Sequence, residues 1–175
     1  MLHPAIVNRN LTLKNIFPTD VTEEYMSWLK DPRINRFMEF RHEKINLQKQ
    51  KDFIEEINTS QGSCIFGIFL DHALFVGTIK VGPINGIHLT ADIGILIGAV
   101  EHHGKGIGTS AIGGLCAEIG ETLSLRKINA GVIATNIGSL RAFEKNGFIR
   151  EGLRKEQYKG PMGTTEDEIL LGKIL

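Results

Sequence analysis

No stretch of apolar residues in this chain approaches the roughly 20 needed to cross a bilayer as a helix, so no helical membrane anchor is expected. The opening MLHPAIVNRN also lacks the basic region and apolar run of a signal peptide, and the expectation is a cytoplasmic protein with no membrane partner. Net charge is missing as well: 20 Lys and Arg balance 20 Asp and Glu. That balance gives no overall positive field to draw the protein onto nucleic acid, which is not expected as a partner. Cysteine is scarce. The two present, Cys64 and Cys116, lie far apart in apolar contexts and suit reduced core thiols better than a disulfide or a metal site. Repeats, low-complexity tracts and Pro/Ser-rich linkers are absent. With 175 residues, 42% of them hydrophobic, the chain can bury one core, and residues 1–175 are expected to form a single domain.

What is present reads as alternating structure. LTLKNI (Leu11 to Ile16) alternates apolar and polar side chains like a half-buried strand. Thr19 and Asp20 offer a cap for a helix over VTEEYMSWLK, which Asp31-Pro32 should end. A second helix is predicted over Arg33 to Phe40 and a third over Leu47 to Ile57. From Ser60 to Gly62 the pattern turns extended: CIFGIFL, LFVGTIKVG and IHLTADIGILIG read as an antiparallel meander. A helix over Gly108 to Leu123 should bury Ile112, Leu115, Cys116 and Ile119. Lys127 to Ala134 is a predicted strand and Ile137 to Lys145 a helix closed by Asn146-Gly147. The tail predicts a final hairpin. The fold class is α+β, with helices around one mixed sheet.

The loop EHHGKGIGTS, between the third run and the long helix, invites three phosphate-binding readings. A Walker-type loop needs Gly-x-x-x-x-Gly-Lys-Ser/Thr, and here Gly106 follows Gly104-Lys105 while Gly98 is one residue too distant. The dinucleotide fingerprint is met formally by Gly106, Gly108 and Ala111, but the next strand, KINAGVIATN, supplies no acidic ribose partner. The third reading is a glycine-alternating loop opening a helix whose free amides and dipole receive a diphosphate. His102 and His103 are adjacent, so their side chains diverge. Neither has a His or Cys at chelating helical spacing, and no metal is expected.

HHGKGIGTSAI resembles the pyrophosphate loop of the GNAT superfamily of N-acetyltransferases, Gln/Arg-x-x-Gly-x-Gly/Ala, read here as His103-Gly104-Lys105-Gly106-Ile107-Gly108 with His103 in place of Arg or Gln. LTLKNIFPTDVTEEYMSWLKDPRI and NIGSLRAFEKNGFIREGLRKEQYKG are similar to the opening and closing segments of the ribosomal-protein N-terminal acetyltransferase branch. The resemblance implies a mixed, mostly antiparallel central sheet flanked by helices and acetyl-CoA as co-substrate. It implies direct transfer in a ternary complex to a primary amine: a protein N-terminus or a small amine such as a nucleotide-linked amino sugar.

It also implies roles for particular residues. The strand before the loop should splay from its neighbour, so that amides near Ile95 and Ile97 bind the pantetheine arm. His103, Gly104, Lys105, Gly106, Ile107, Gly108 and Thr109 would take the diphosphate. Asn136, Ser139, Phe143 and Lys145 would complete the cofactor site. Asp92 is the candidate base, with Glu101 as the alternative. Phe143 stands where many relatives carry a Tyr general acid, and Ser139 is the candidate that takes its place. Trp28, Tyr25 and Phe37 are expected in the core or along an acceptor cleft, and Arg33, Arg36 and Arg41 are candidates to attract an anionic acceptor. A non-catalytic acyl-CoA sensor is the competing reading, and the oligomeric state, a dimer included, is left open.

Overall fold

The computed structural model describes residues 5–8, 10–160 and 163–175. The segment read for a leader includes residues 1–4 and 9, which lie outside them. In chain order the elements are β1 (Ala5–Asn8), β2 (Leu11–Asn15), α1 (Glu23–Lys30), α2 (Pro32–Asn35), α3 (Leu47–Thr59), β3 (Cys64–Leu70), β4 (Leu74–Asn85), β5 (Thr90–Ile97), α4 (Ile107–Thr122), β6 (Lys127–Ile133), α5 (Ile137–Glu144), β7 (Ile149–Lys159) and β8 (Thr165–Ile174). The strands form one eight-stranded sheet in the order β1-β2-β3-β4-β5-β6-β8-β7. Only the β5 and β6 pair is parallel; every other neighbour runs antiparallel.

Local chemistry sets the helix starts. Thr22, Asn46 and Asn136 each accept a hydrogen bond from the backbone N–H three residues on, at Tyr25, Lys49 and Ser139, satisfying amides that have no partner inside the helix. The cap expected at Thr19 and Asp20 is therefore corrected to Thr22. Asp20 instead closes a 3-10 turn, its carboxylate accepting from the Phe17 N–H at 2.7 Å. The helix expected over Arg33 to Phe40 is also shorter. It ends at Asn35, and a separate 3-10 turn covers Glu39–His42. Tertiary contacts hold that break: the Arg41 guanidinium donates to the carbonyls of Arg36 and of Lys159 on β7.

The helices divide between the two faces of the sheet. On β4, Thr78 and Lys80 pair with Leu96 and Gly94 of β5, so these four residues share a face. Tyr25 of α1 hydrogen-bonds Thr78, which puts α1 there. A ring cluster of Tyr25, Trp28, Phe69 and Phe75, with centroids 5.1 to 5.9 Å apart, fastens α1 to β3 and β4. Gly108 of α4 approaches Ile95 and Ile97, so α4 covers the opposite face. Its stripe of Ile112, Leu115, Cys116 and Ile119 is buried as expected, against a layer that includes Ile68, Ile79 and Ile128. Each such side chain contributes about 1.5–3 kcal/mol by leaving water. Burial raises both thiols, Cys64 and Cys116, to about 11, far from the range of a reactive cysteine.

Candidate active site

β5 and β6 pair over three residues only, Thr90 with Lys127, Ala91 with Ile128 and Asp92 with Asn129. Beyond Asp92 they separate, and the edge of β5 from Ile93 to Ile97 that faces β6 has no ladder partner there. Buried backbone donors and acceptors rarely go unpaired. Such an edge is suited to a ligand that supplies the missing partners.

The mouth of this split is a cavity of about 480 Å³. Its walls are Ile95, Leu96 and Ile97 of β5, the loop and first turn of α4, the start of α5 through Asn136, Gly138 and Ser139, and Lys145. Gly104 and Gly106 have φ of +73° and +80°, the left-handed region that glycine enters at no steric cost. Apart from the adjoining residues of the chain, no protein atom lies within 4 Å of where a Cβ would stand on either. The two glycines therefore bend the loop and leave its backbone bare toward the cavity. The amides at the head of α4, a helix of 16 residues, carry no intrahelical partner, and its dipole favours an anion there. His103 folds back onto β5, its Nε2 donating to the Ile97 carbonyl at 2.8 Å. The residues present thus fit a nucleotide diphosphate followed by an extended arm lying along β5.

A second cavity, of about 430 Å³, opens on the other face. It is walled by Tyr25, Leu29, Met38, Phe40, Ile45 and Phe53 and floored by Ile65, Thr78, Lys80, Gly94 and Leu96. The two cavities share Met38, Ile95 and Leu96, so a group passing through the split emerges beside the second. The hydroxyl of Tyr25 accepts from Gln50 Nε2 at 3.2 Å, and burial holds its ionisation above the usual phenol range.

Of the residues named from sequence, Ile95, Ile97, His103, Gly104, Gly106, Ile107, Gly108, Thr109, Asn136, Ser139 and Lys145 line the first cavity together. Lys105 does not line it. Phe143 is a correction: it is 2% exposed and meets Phe148 edge-on at 5.0 Å. It belongs to the packing of α5, because an apolar ring at that helix position gains more from the core than from a polar cofactor. Asp92 lies at the vertex of the split with an exposed side chain, outside both cavities. Glu101 is also exposed and lines neither. Arg33 borders the first cavity but pairs with Asp31, while Arg36 stacks on Phe37 at 4.2 Å. Tyr25 borders the second cavity, and Trp28 is buried core. Met38, Ile45, Phe53, Thr78, Lys80 and Gly94, which line the second cavity, carry no site motif in the sequence. A lysine in the midst of the apolar run LFVGTIKVG was the available signal. Among the described residues no cluster of three or more His, Cys, Asp or Glu side chains is arranged to hold a metal ion, and no helix is long and apolar enough to cross a membrane.

Comparison with known proteins agrees with this architecture. Residues 10–149 match the family model described as an acetyltransferase (GNAT) domain. The Probable N-acetyltransferase YjcK of Bacillus subtilis (strain 168) is 39% identical over 97 residues, 54% of this chain and 52% of that protein, so the match spans about half the length of that curated relative. Among solved structures, the RimL ribosomal L7/L12 alpha-N-protein acetyltransferase in complex with coenzyme A superposes with a TM-score of 0.88 at 16% identity, over 98% of both chains. The Vibrio cholerae spermidine N-acetyltransferase bound to CoA and spermine does so at 0.86 and 22%, over 95% of this chain and 96% of that one. The microcin C7 self immunity acetyltransferase MccE with acetyl-CoA and AMP gives 0.82 and 25%, over 97% and 94%. The split sheet, the glycine loop at the head of α4 and the family match define an acetyltransferase fold. The chain belongs to the GNAT acetyltransferase family.

Proposed function

We propose that this protein transfers the acetyl group of acetyl-CoA directly to a primary amine, a protein N-terminus or a small molecule. The observation that carries the reading is the meeting of two cavities at the unpaired edge of β5. One has a backbone cradle suited to a diphosphate, and the other has apolar walls suited to an acceptor body. The free edge of β5 supplies fixed donors near the thioester carbonyl, which stabilise charge developing on its oxygen. Ser139 lines the cofactor side and would donate to the departing sulfur, whose thiolate has an ordinary pKa near 8.5 and needs little help. Asp92, on the acceptor-side face two residues before Gly94, would take the proton of the amine through water. An alkyl amine with pKa near 10.4 is neutral in only about one molecule in a thousand at pH 7. A proton acceptor therefore matters more for it than for an α-amine. Buried thiols near 11 leave no cysteine suited to carry the acetyl group, which favours direct transfer in a ternary complex.

The test is steady-state turnover of acetyl-CoA with a panel of amines, alongside calorimetric CoA binding to wild type and Gly106→Val. Turnover is expected, and the substitution should weaken CoA about tenfold, because the roughly 1–2 kcal/mol that a β-branched residue costs at positive φ is relieved when the free loop changes conformation and must be restored on CoA binding. Tight CoA binding with no acceptor consumed would favour the sensor reading instead, and unchanged affinity in Gly106→Val would remove the loop from the site.

A further inference from the structure

We propose that Lys80 is the anion-recognition residue of the acceptor cavity, and that the amine acetylated here carries an anionic group, carboxylate or phosphate, on an apolar body. This rests on the transferase reading above. Lys80 lies within the sheet on β4, flanked by Ile65 of β3 and Gly94 of β5, and floors the second cavity half-buried. Half-buried, its ammonium is partly shielded from water, and a counter-charge there is worth more than one at the open surface. The ion pairs among the described residues are Arg33–Asp31, Lys127–Glu151, Arg150–Glu144 and Arg154–Glu168, and none includes Lys80. Beside it Gly94 has no side chain, and apart from the adjoining residues no protein atom lies within 4 Å of where a Cβ would stand. The space next to the lysine is open to a ligand.

The other charges of this cavity decide the sign of that ligand. Glu39, Glu43 and Lys49 are exposed at its rim, where water screens them and their pairing contributes little. Lys80 is the one charge on the floor; Asp92, on the same face two residues from Gly94, lies outside the cavity with an exposed side chain that water screens. A purely cationic acceptor would bring like charge against it, whereas an anionic group would neutralise it and leave the apolar part of the molecule among Leu29, Phe40 and Ile45. The same lysine disfavours the ammonium form of a nearby acceptor amine, raising its neutral, reactive fraction. The arginines suspected from sequence are already engaged, Arg33 with Asp31 and Arg41 with two backbone carbonyls.

Matched acceptors test this: L-phenylalanine against phenethylamine, 3-aminopropyl phosphate against propylamine, and spermidine, each with wild type, Lys80→Met and Lys80→Arg. Wild type should prefer the anionic member of a pair by about tenfold or more in kcat/KM, the scale of one charged hydrogen bond. Lys80→Met should collapse that preference to near unity, mainly through KM, and Lys80→Arg should restore it. Calorimetric CoA affinity serves as the control for the fold. The carboxylate and phosphate pairs separate the two sources of anion. Preference for spermidine or for the amines that lack an anionic group in wild type, or a preference that survives Lys80→Met, overturns the proposal. If neither these amines nor a panel of N-terminal peptides turns over, the transferase reading fails by itself. Calorimetric binding of L-phenylalanine and phenethylamine to the CoA-saturated protein then decides the lysine: anion preference lost in Lys80→Met supports it, and equal or absent binding overturns it.

Discussion

Glu168 is a carboxylate at 5% exposure, buried on β8 beside Ile169 and close to Leu171. It is tolerated because the Tyr158 hydroxyl donates to Oε1 at 2.8 Å and Arg154 donates to Oε2 at 2.9 Å. Gly131 on β6 completes the arrangement, since a Cβ there would collide with the Glu168 carboxylate. Burial, followed by the bond to Glu168, pushes the Tyr158 phenol up to about 12, and burial raises Tyr25 as well. Both tyrosines of the chain therefore resist ionisation while folded. The folded pKa of Tyr158 exceeds the unfolded value near 10. Its stabilising contribution is therefore complete below about pH 10 and is lost as pH rises toward 12. An ultraviolet titration should show little tyrosinate near pH 10 in the native protein and about half of the full signal at that pH in denaturant. A native midpoint at the ordinary value would contradict the network. Tyr158→Phe should destabilise by about 1 kcal/mol in urea melts, because Glu168 loses a donor.

At the scale of elements, the head of α4 is held in place by α5. Asn146, just past the end of α5, donates to the carbonyls of Thr109 on α4 and Ala142 on α5, at 2.9 and 2.8 Å. Gly113 gives the room, for a Cβ there would stand 2.6 Å from Asn146 Oδ1. Thr109 and Ala142 both line the first cavity, so one carboxamide ties α4 to α5 at its wall. Asn146→Ala should cost about 1–2 kcal/mol in urea unfolding and weaken CoA several-fold by calorimetry. Loss of stability with CoA affinity intact would confine Asn146 to packing. Most elements were legible in local pattern: the alternation of LTLKNI, the 3.6-residue stripe Ile112, Leu115, Cys116, Ile119, and Asn146-Gly147, where Gly147 takes φ of +82°. The break between Asn35 and Glu39 was not. It depends on Arg41 reaching Lys159, 118 residues away, a contact that no local periodicity encodes.

For the whole molecule, CoA binding and folding are linked, because only the folded chain brings β5, α4 and α5 around one cavity. At CoA a hundredfold above its Kd the stabilisation is about 2.7 kcal/mol, and Tm should rise by roughly 5–10 °C for a chain of this size. Scanning calorimetry with and without CoA measures it, and an unchanged Tm at that excess would mean that CoA has no site on the folded protein. The residues themselves determined the order of elements, the glycine-bared loop before a long helix and the scarcity of charge in the core, since propensity, periodicity and φ preference act over a few neighbours. The tertiary structure alone decided that Phe143 packs inward, that Asp92 stands at the vertex of the split, and that Lys80 floors the second cavity without an ion-pair partner among the described residues. Those outcomes depend on which strands lie side by side and where they part, and that is set by the packing of distant segments.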